Sequence, residues 1–292
     1  MTRRSVFRHA LHLGAAVLAL PALTACAAAV APAPGVAEPR RLPYGGHPSQ
    51  FGELTLPAGD GPVRGVVVVI HGGFWRQQYG LELGRPLATD LANAGLAAWN
   101  IEYRRVGGDG GWTATFDDVA AAVDLLAGPV QEAAGGRLPL DRVVALGHSA
   151  GGHLAAWLAA RPGLPAGVPG AAPVVRLHGA VSQAGVLDLV DGAERSVGAG
   201  AMQDLLGGEP TAVSERYAIA SPIARLPLGV RVICVHGTAD RNVPIRQSER
   251  FVAAAGSAAE LITLDGVDHF AVIDPSTPAW AACRDGVERL LV

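Results

Sequence analysis

The sequence contains only three cysteines in 292 residues. A small domain that depends on disulfides would need a larger, even set. Cys26 lies in the N-terminal segment, Cys234 in a predicted core strand and Cys283 in the predicted last helix. We expect the last two to be buried thiols, although an oxidising compartment would also allow a bridge between them. Three cysteines therefore exclude a disulfide scaffold.

The chain also lacks an excess of charge of either sign. Its 23 basic residues are all arginine, and they nearly balance the acidic residues to give a net charge of -3. This balance offers no electrostatic basis for a nucleic-acid partner. The histidines and carboxylates do not show a metal-ligand spacing such as H-E-x-x-H, so we predict no metal site. The sequence has no internal repeat.

The N-terminal segment lacks a hydrophobic run long enough to span a membrane. It joins Arg3-Arg4 to an apolar run over about 11–23 and to Leu23-Thr24-Ala25-Cys26. This pattern predicts an export signal over residues 1–26. The paired arginines resemble a twin-arginine signal, and the tetrapeptide resembles a bacterial lipobox, in which Cys26 would be lipidated and anchor the protein to a membrane. The alternative is a general signal peptide cut after Cys26, which leaves a secreted or periplasmic protein.

Residues 27–40 are rich in Ala and Pro and predict an extended tether, which leaves residues 41–292 as a single folded domain. In that domain, continuous apolar runs such as Val66–Ile70 alternate with helical patterns. This alternation predicts an α/β fold with a mostly parallel sheet between helices. Residues 51–57 alternate and predict an edge strand. Residues 185–228 are less regular and predict a small lid insertion over the functional site.

The most informative stretch is Gly147-His148-Ser149-Ala150-Gly151, between a predicted buried strand and an Ala-rich helix. A serine between two spaced glycines at such a junction is typical of a nucleophile elbow. The turn is too sharp for side chains at the flanking positions, which explains the glycines. We therefore predict Ser149 as a nucleophile and His148 as a packing residue.

A serine nucleophile needs a base and a group that orients the base. In the expected chain order, Asp240 follows a predicted strand, and His269 follows the next one. We predict a triad of Ser149, Asp240 and His269. Alternatives remain for the acid: Asp240 could only cap the helix that starts near residue 243, and Asp188, Asp191 or Asp268 could take its place.

Acyl transfer also needs donors for the oxyanion. The predicted donors are the backbone N–H of Ala150 and those near Gly73 and Phe74, in the loop His71-Gly72-Gly73-Phe74-Trp75. An ordinary tight turn is the alternative for this loop. Trp75 and Tyr103 are candidates for the substrate pocket, or else for packing.

These segments together resemble the α/β-hydrolase superfamily over almost all of residues 41–292. The loop that ends at Trp75 looks like the H-G-G-x-W motif of the kynurenine formamidase-like and related carboxylesterase branch. The resemblance implies a sheet of about eight strands, the triad named above, an oxyanion hole at Gly73, Phe74 and Ala150, and no cofactor.

The sequence therefore predicts an exported serine hydrolase that cleaves carboxylic esters of small molecules. An arylformamidase is the alternative with the same machinery. A peptidase, or a surface binding protein without catalytic activity, is a more distant alternative. The sequence does not fix the acyl-chain length, the physiological substrate or the oligomeric state.

Overall fold

The computed structural model describes residues 36–292. The predicted export signal, the lipidation site at Cys26 and residues 27–35 of the predicted tether lie outside the described residues. Val36 forms an isolated bridge with Pro57, and the first strand already begins at Arg40. The last residues of the predicted tether therefore belong to the folded domain.

Residues 36–292 form one eight-stranded sheet. The strands are β1 (Arg40–Pro43), β2 (Phe51–Thr55), β3 (Val66–Ile70), β4 (Ala97–Ile101), β5 (Val143–His148), β6 (Gly179–Gln183), β7 (Arg231–Gly237) and β8 (Ala259–Leu264). Their order is β1-β2-β4-β3-β5-β6-β7-β8. The pairs β1–β2 and β2–β4 are antiparallel, and the other pairs are parallel. This order confirms the predicted fold class.

Nine α-helices accompany the sheet within the same described residues. They are α1 (Arg85–Asn93), α2 (Ala114–Asp124), α3 (Pro129–Ala133), α4 (Ala150–Ala160), α5 (Leu189–Glu194), α6 (Ala201–Leu206), α7 (Ser214–Ala220), α8 (Arg246–Ala255) and α9 (Pro278–Leu290). None of them has the length and hydrophobicity that a membrane-spanning helix requires.

The central strand β3 shows how the core is built. Its five residues are all buried, because helices cover both faces of the sheet. Val66, Val68 and Ile70 pack into the larger core, to which α2, α4 and α8 contribute. Val67 and Val69 pack on the other face, against α1 and α9. A continuous apolar run is the sequence pattern that such two-sided burial demands.

One detail of the predicted sheet is wrong. β2 is not an edge strand, because β1 pairs with it on its outer side. The sequence analysis did not identify β1 because this strand is largely exposed and has no alternating apolar pattern. Cys234 and Cys283 are free, buried thiols, as predicted.

Candidate active site

Ser149 occupies the sharp turn between β5 and α4. Its φ of 55° and ψ of -116° are unusual for a residue with a side chain. The flanking glycines make this turn possible: a Cβ at Gly147 would lie 2.0 Å from the carbonyl oxygen of Gly151, and one at Gly151 would lie 2.1 Å from that of Ile70. Neither position has room for a side chain. The elbow is thus built as the sequence predicts.

Asp240 and His269 meet from two loops, one after β7 and one after β8. The Nδ1 of His269 lies 2.6 Å from Oδ2 of Asp240. The other oxygen, Oδ1, accepts the backbone N–H groups of Asn242 at 2.8 Å and Val243 at 2.9 Å. Asp240 therefore fixes the backbone of its own loop through one oxygen and orients the His269 ring through the other. The capping role and the orienting role are compatible.

Burial alone would raise the pKa of Asp240. Hydrogen bonds from His236 and His269 outweigh burial, and together with the nearby His269 charge they lower this pKa far below the usual range. The Nε2 of His236 lies 3.3 Å from Oδ2 of Asp240. The same nitrogen lies 2.9 Å from the Val243 carbonyl oxygen, which only accepts, so it carries the hydrogen. The carboxylate is therefore held in its ionised form.

The three rival acids are engaged elsewhere. Asp188 pairs with Arg250 at 2.7 Å, and Asp191 pairs with Arg195 and Arg246. Asp268 accepts backbone N–H groups from the two residues after His269. Within the described residues, none of the three bonds to the His269 ring.

Ser149 and His269 line the same cavity, of about 80 Å³. No hydrogen bond within the described residues joins the Ser149 hydroxyl to the His269 ring. Catalytic hydrogen bonds are often long in the absence of substrate and tighten in the working complex. The arrangement can therefore carry a proton from Ser149 to His269 once the two side chains close up.

The loop after β3 presents backbone donors to this cavity. Gly73 has a φ of 112° and Phe74 a φ of 51°, and both line the cavity. The N–H groups of Gly73 and Phe74 take part in no hydrogen bond within residues 36–292. Ala150 is the first residue of α4, so its N–H also has no partner within the helix. Three free donors near a nucleophile are the arrangement that stabilises an oxyanion.

A buried polar cluster holds the loop in place from below. Glu102 bonds to Nε2 of His71 at 3.0 Å and to the N–H of Leu81 at 3.0 Å, and it also pairs with Arg105. Tyr103 stacks on the His71 ring at 4.4 Å and donates its hydroxyl to the His71 carbonyl oxygen. The loop is therefore fixed before any substrate binds.

The prediction that Trp75 and Tyr103 line the substrate pocket is wrong. Both side chains are fully buried, and neither lines the cavity beside Ser149. The Nε1–H of Trp75 donates to Nδ1 of His153 at 3.2 Å. The two buried aromatic side chains thus hold the loop 71–75 in place by packing.

The prediction that residues 185–228 form a lid over the site is also wrong. The segment forms α5, α6 and α7, but none of its residues lines the cavity. It lies beside the loop 71–75, where the neighbouring Arg76 donates to the Ala199 carbonyl oxygen and pairs with Asp204. An insertion is present, yet it supports a wall of the site and does not cover it.

Sequence reasoning missed most of the residues that line the cavity, including His148. The lining residues are Gly73, Phe74, Tyr79, Leu83, His148, Ser149, Asn242, His269 and Phe270. Tyr79 is 48% exposed and Phe270 57% exposed, which is unusual for large aromatic side chains. One signal was available for Phe270, because it directly follows the predicted base.

The BD-FAE family model matches residues 53–254, which is more than half of the chain. The chain belongs to the BD-FAE family. With its elbow and its eight-stranded sheet, this BD-FAE chain is an α/β-hydrolase.

A curated relative from Oryza sativa subsp. japonica, named "Probable isoprenylcysteine alpha-carbonyl methylesterase", is 26% identical over 247 residues. The match covers 79% of this chain and 56% of the relative. The BD-FAE chain thus spans about half the length of the curated relatives it matches.

Solved structures similar to the BD-FAE chain include esterases. A thermophilic esterase from the Planctomycetes species Thermogutta terrifontis has a TM-score of 0.66 and 25% identity, and the match covers 87% of this chain and 92% of that one. The same esterase has also been solved with butyrate bound. Esterase B from Lactobacillus Rhamnosis (HN001) has a TM-score of 0.73, with 88% and 87% of the two chains covered. At 21% identity, the latter similarity concerns the fold alone.

Proposed function

We propose that the protein is a serine hydrolase that cleaves carboxylic esters of small substrates through an acyl-enzyme on Ser149. The observation that carries this proposal is the 2.6 Å contact between His269 Nδ1 and Asp240, with His269 and Ser149 lining one cavity. Membership of the BD-FAE family and the similarity to esterases support it.

In the first half of the reaction, Ser149 Oγ attacks the ester carbonyl carbon while Nε2 of His269 takes the hydroxyl proton. The negative oxygen that forms is stabilised by the N–H groups of Gly73, Phe74 and Ala150. His269 then gives its proton to the leaving alcohol oxygen, and the carbon–oxygen bond of the ester breaks. The ionised Asp240 stabilises the imidazolium between these two transfers.

In the second half, water attacks the acyl-enzyme. His269 takes a proton from the water, the same backbone donors stabilise the second oxyanion, and the proton returns to Ser149 as the acid leaves. No cofactor enters any of these steps, and the absence of a cofactor remains a prediction. The cavity of about 80 Å³ favours a short acyl group, and the butyrate complex of the T. terrifontis esterase is consistent with that size.

The test is hydrolysis of p-nitrophenyl esters of graded acyl length, beside N-formylkynurenine, by the wild type and Ser149→Ala. We expect short esters to be cleaved, and Ser149→Ala to lose roughly four to six orders of magnitude in kcat. A fluorophosphonate probe should label the wild type and not the variant. Unchanged turnover in Ser149→Ala would remove the proposal.

The arylformamidase alternative rests on the H-G-G-x-W resemblance at residues 71–75. Exclusive turnover of N-formylkynurenine in the assay above would favour it. Cleavage of peptide amides without cleavage of esters would favour a peptidase. A folded protein that no fluorophosphonate labels would favour a binding protein without catalytic activity.

We also propose that the protein is exported and carried on the membrane surface by a lipid on Cys26. The support is the sequence of residues 1–26 alone. A Cys26→Ala variant should move from the membrane fraction to the soluble fraction of the source cells. If its distribution matches that of the wild type, the lipobox prediction is wrong.

A further inference from the structure

A second, smaller cavity lies directly behind the cavity that contains Ser149. It measures about 10 Å³, and its walls are mostly apolar, including Val69, Leu87 and Ile273. Val69 and Leu87 are buried core residues of β3 and α1. A space of this size is too small to hold more than one water molecule.

Leu83 and His148 line both cavities. They therefore form the partition between the space beside the nucleophile and the apolar space behind it. We propose that this partition sets the acyl-chain length that the enzyme accepts, and that Leu83 is the residue that determines it. The inference rests on the proposed ester hydrolysis and names the part of the site that limits its substrates.

Both halves of the partition are held in place. His148 bonds through Nε2 to the His269 carbonyl oxygen at 2.8 Å. Leu83 belongs to the 3₁₀ turn Leu81–Gly84, whose first residue donates its N–H to Glu102 and accepts from Nδ2 of Asn100 at 2.9 Å. The backbone turn that carries Leu83 and the ring of His148 are therefore both anchored by hydrogen bonds.

The chemistry of the triad assigns this end of the cavity to the acyl group. His269 must reach the leaving oxygen, so the alcohol lies on the side of His269, Asn242 and Phe270. The remaining apolar walls are Phe74, which belongs to the loop 71–75, and Tyr79 and Leu83, which follow that loop in the chain. A straight aliphatic acyl chain would extend along these walls and stop at Leu83.

Replacing Leu83 with alanine removes three carbon atoms from the partition and joins the two cavities. Each methylene of a longer acyl chain that becomes buried should then raise kcat/KM about fourfold. For two added methylenes, we expect the hexanoyl-to-butyryl ratio of kcat/KM to rise about 15-fold over that of the wild type. Leu83→Phe should lower the ratio instead.

Leu87→Ala is the matched control. Leu87 lines the inner cavity and not the outer one, so this variant enlarges the inner space while the partition stays closed. Its ratio should stay near the wild-type value. An equal rise in Leu87→Ala, or an unchanged ratio in a folded Leu83→Ala, would overturn the proposal. Acetate esters of alcohols of increasing length test the leaving-group side of the cavity. If Leu83→Ala changes the length preference in this alcohol series and not in the acyl series, the proposal is also overturned.

Binding of 1-butaneboronic and 1-hexaneboronic acids, followed by calorimetry, needs no turnover. A higher relative affinity for the hexyl compound in Leu83→Ala supports the partition even if no ester is hydrolysed. The same relative affinity in wild type and Leu83→Ala counts against it. Failure of ester hydrolysis and failure of the partition are thus separate results.

Discussion

The Nε2–H of His148 donates a hydrogen bond to the backbone carbonyl oxygen of His269 across 2.8 Å. The carbonyl only accepts, so this nitrogen must carry the hydrogen. Burial first, and then the charge of His269, lower the pKa of His148 to about 3, so its ring is neutral at ordinary pH. His148, the residue before Ser149, thus positions the backbone of His269, the proposed base.

Loss of this bond should impair turnover. We expect His148→Leu to lower kcat/KM about tenfold, since a buried hydrogen bond is worth about 1.4 kcal/mol. His148→Gln retains a donor at a similar distance from the backbone and should recover most of the rate. His178→Leu, at an exposed histidine, is the control and should match the wild type. Equal losses in the Leu and Gln variants would show that packing alone matters.

A pair of matched variants tests whether Asp240 or Asp188 is the acid of the proposed triad. Asp240→Asn keeps the shape but loses the charge that stabilises the imidazolium, so kcat should fall by about 10⁴. Asp188→Asn breaks the pair with Arg250, away from His269, and should lower stability while kcat changes little. Steady-state kinetics on the same short ester measure both. A larger kcat loss in Asp188→Asn would reassign the acid.

Glu102 should make the stability of the protein depend on pH. Burial would raise its pKa, but the hydrogen bond and charge of His71, followed by those of Arg105, lower it from 4.5 to about 2. A carboxyl with a lowered folded-state pKa stabilises the fold above its unfolded pKa and loses this contribution as the pH falls. Here the loss occurs between about pH 4.5 and pH 2.

Glu102→Gln leaves Arg105 buried without its partner, so it should lose about 3 kcal/mol of stability at pH 7. The difference from the wild type should shrink at pH 3, because the wild type is itself losing the contribution of its carboxylate. Urea unfolding at the two pH values measures this. A difference that is the same at both would contradict the assigned role.

The buried Arg161 pairs with the partly exposed Asp124, and neither residue lines the cavity. The two nitrogens of the guanidinium lie 3.1 and 2.6 Å from the carboxylate oxygens. Arg161→Met should cost about 2 kcal/mol of unfolding free energy with little change in kcat, because it removes two charge-assisted hydrogen bonds from a buried guanidinium. Arg231→Met, at an exposed pair with Glu260, should cost less than about 1 kcal/mol. Chemical denaturation of the two variants gives the comparison.

The sheet and the positions of Ser149, Asp240 and His269 were predictable because their signals are local. Buried parallel strands demand apolar runs, and an elbow demands glycines two residues on either side of its serine. Asp240 and His269 each follow such a run, so their loops lie at the same edge of the sheet. Predicting the positions of these three residues therefore required no knowledge of long-range packing.

The lining of the cavity was not predictable in the same way. Trp75 and Tyr103 are aromatic residues near the site, but their side chains lie in the interior. There Trp75 donates a hydrogen bond to His153, and Tyr103 stacks on His71. Leu83 enters the cavity only because Glu102 and Asn100 hold its turn, and neither contact leaves a pattern in the sequence. The short helices of residues 185–228 likewise depend on tertiary contacts, such as that of Arg76 with Asp204.

The hydrogen bonds of four histidine and aspartate residues join the ends of β5 and β7 to the loops that follow β7 and β8. His236 contacts Asp240, Asp240 holds His269, and His148 holds the backbone of His269. None of these bonds involves Ser149. Most of the entropy needed to align the base is therefore lost during folding and not during each catalytic cycle. In the proposed mechanism, substrate binding therefore has to align only the Ser149 hydroxyl with an imidazole that is already in position.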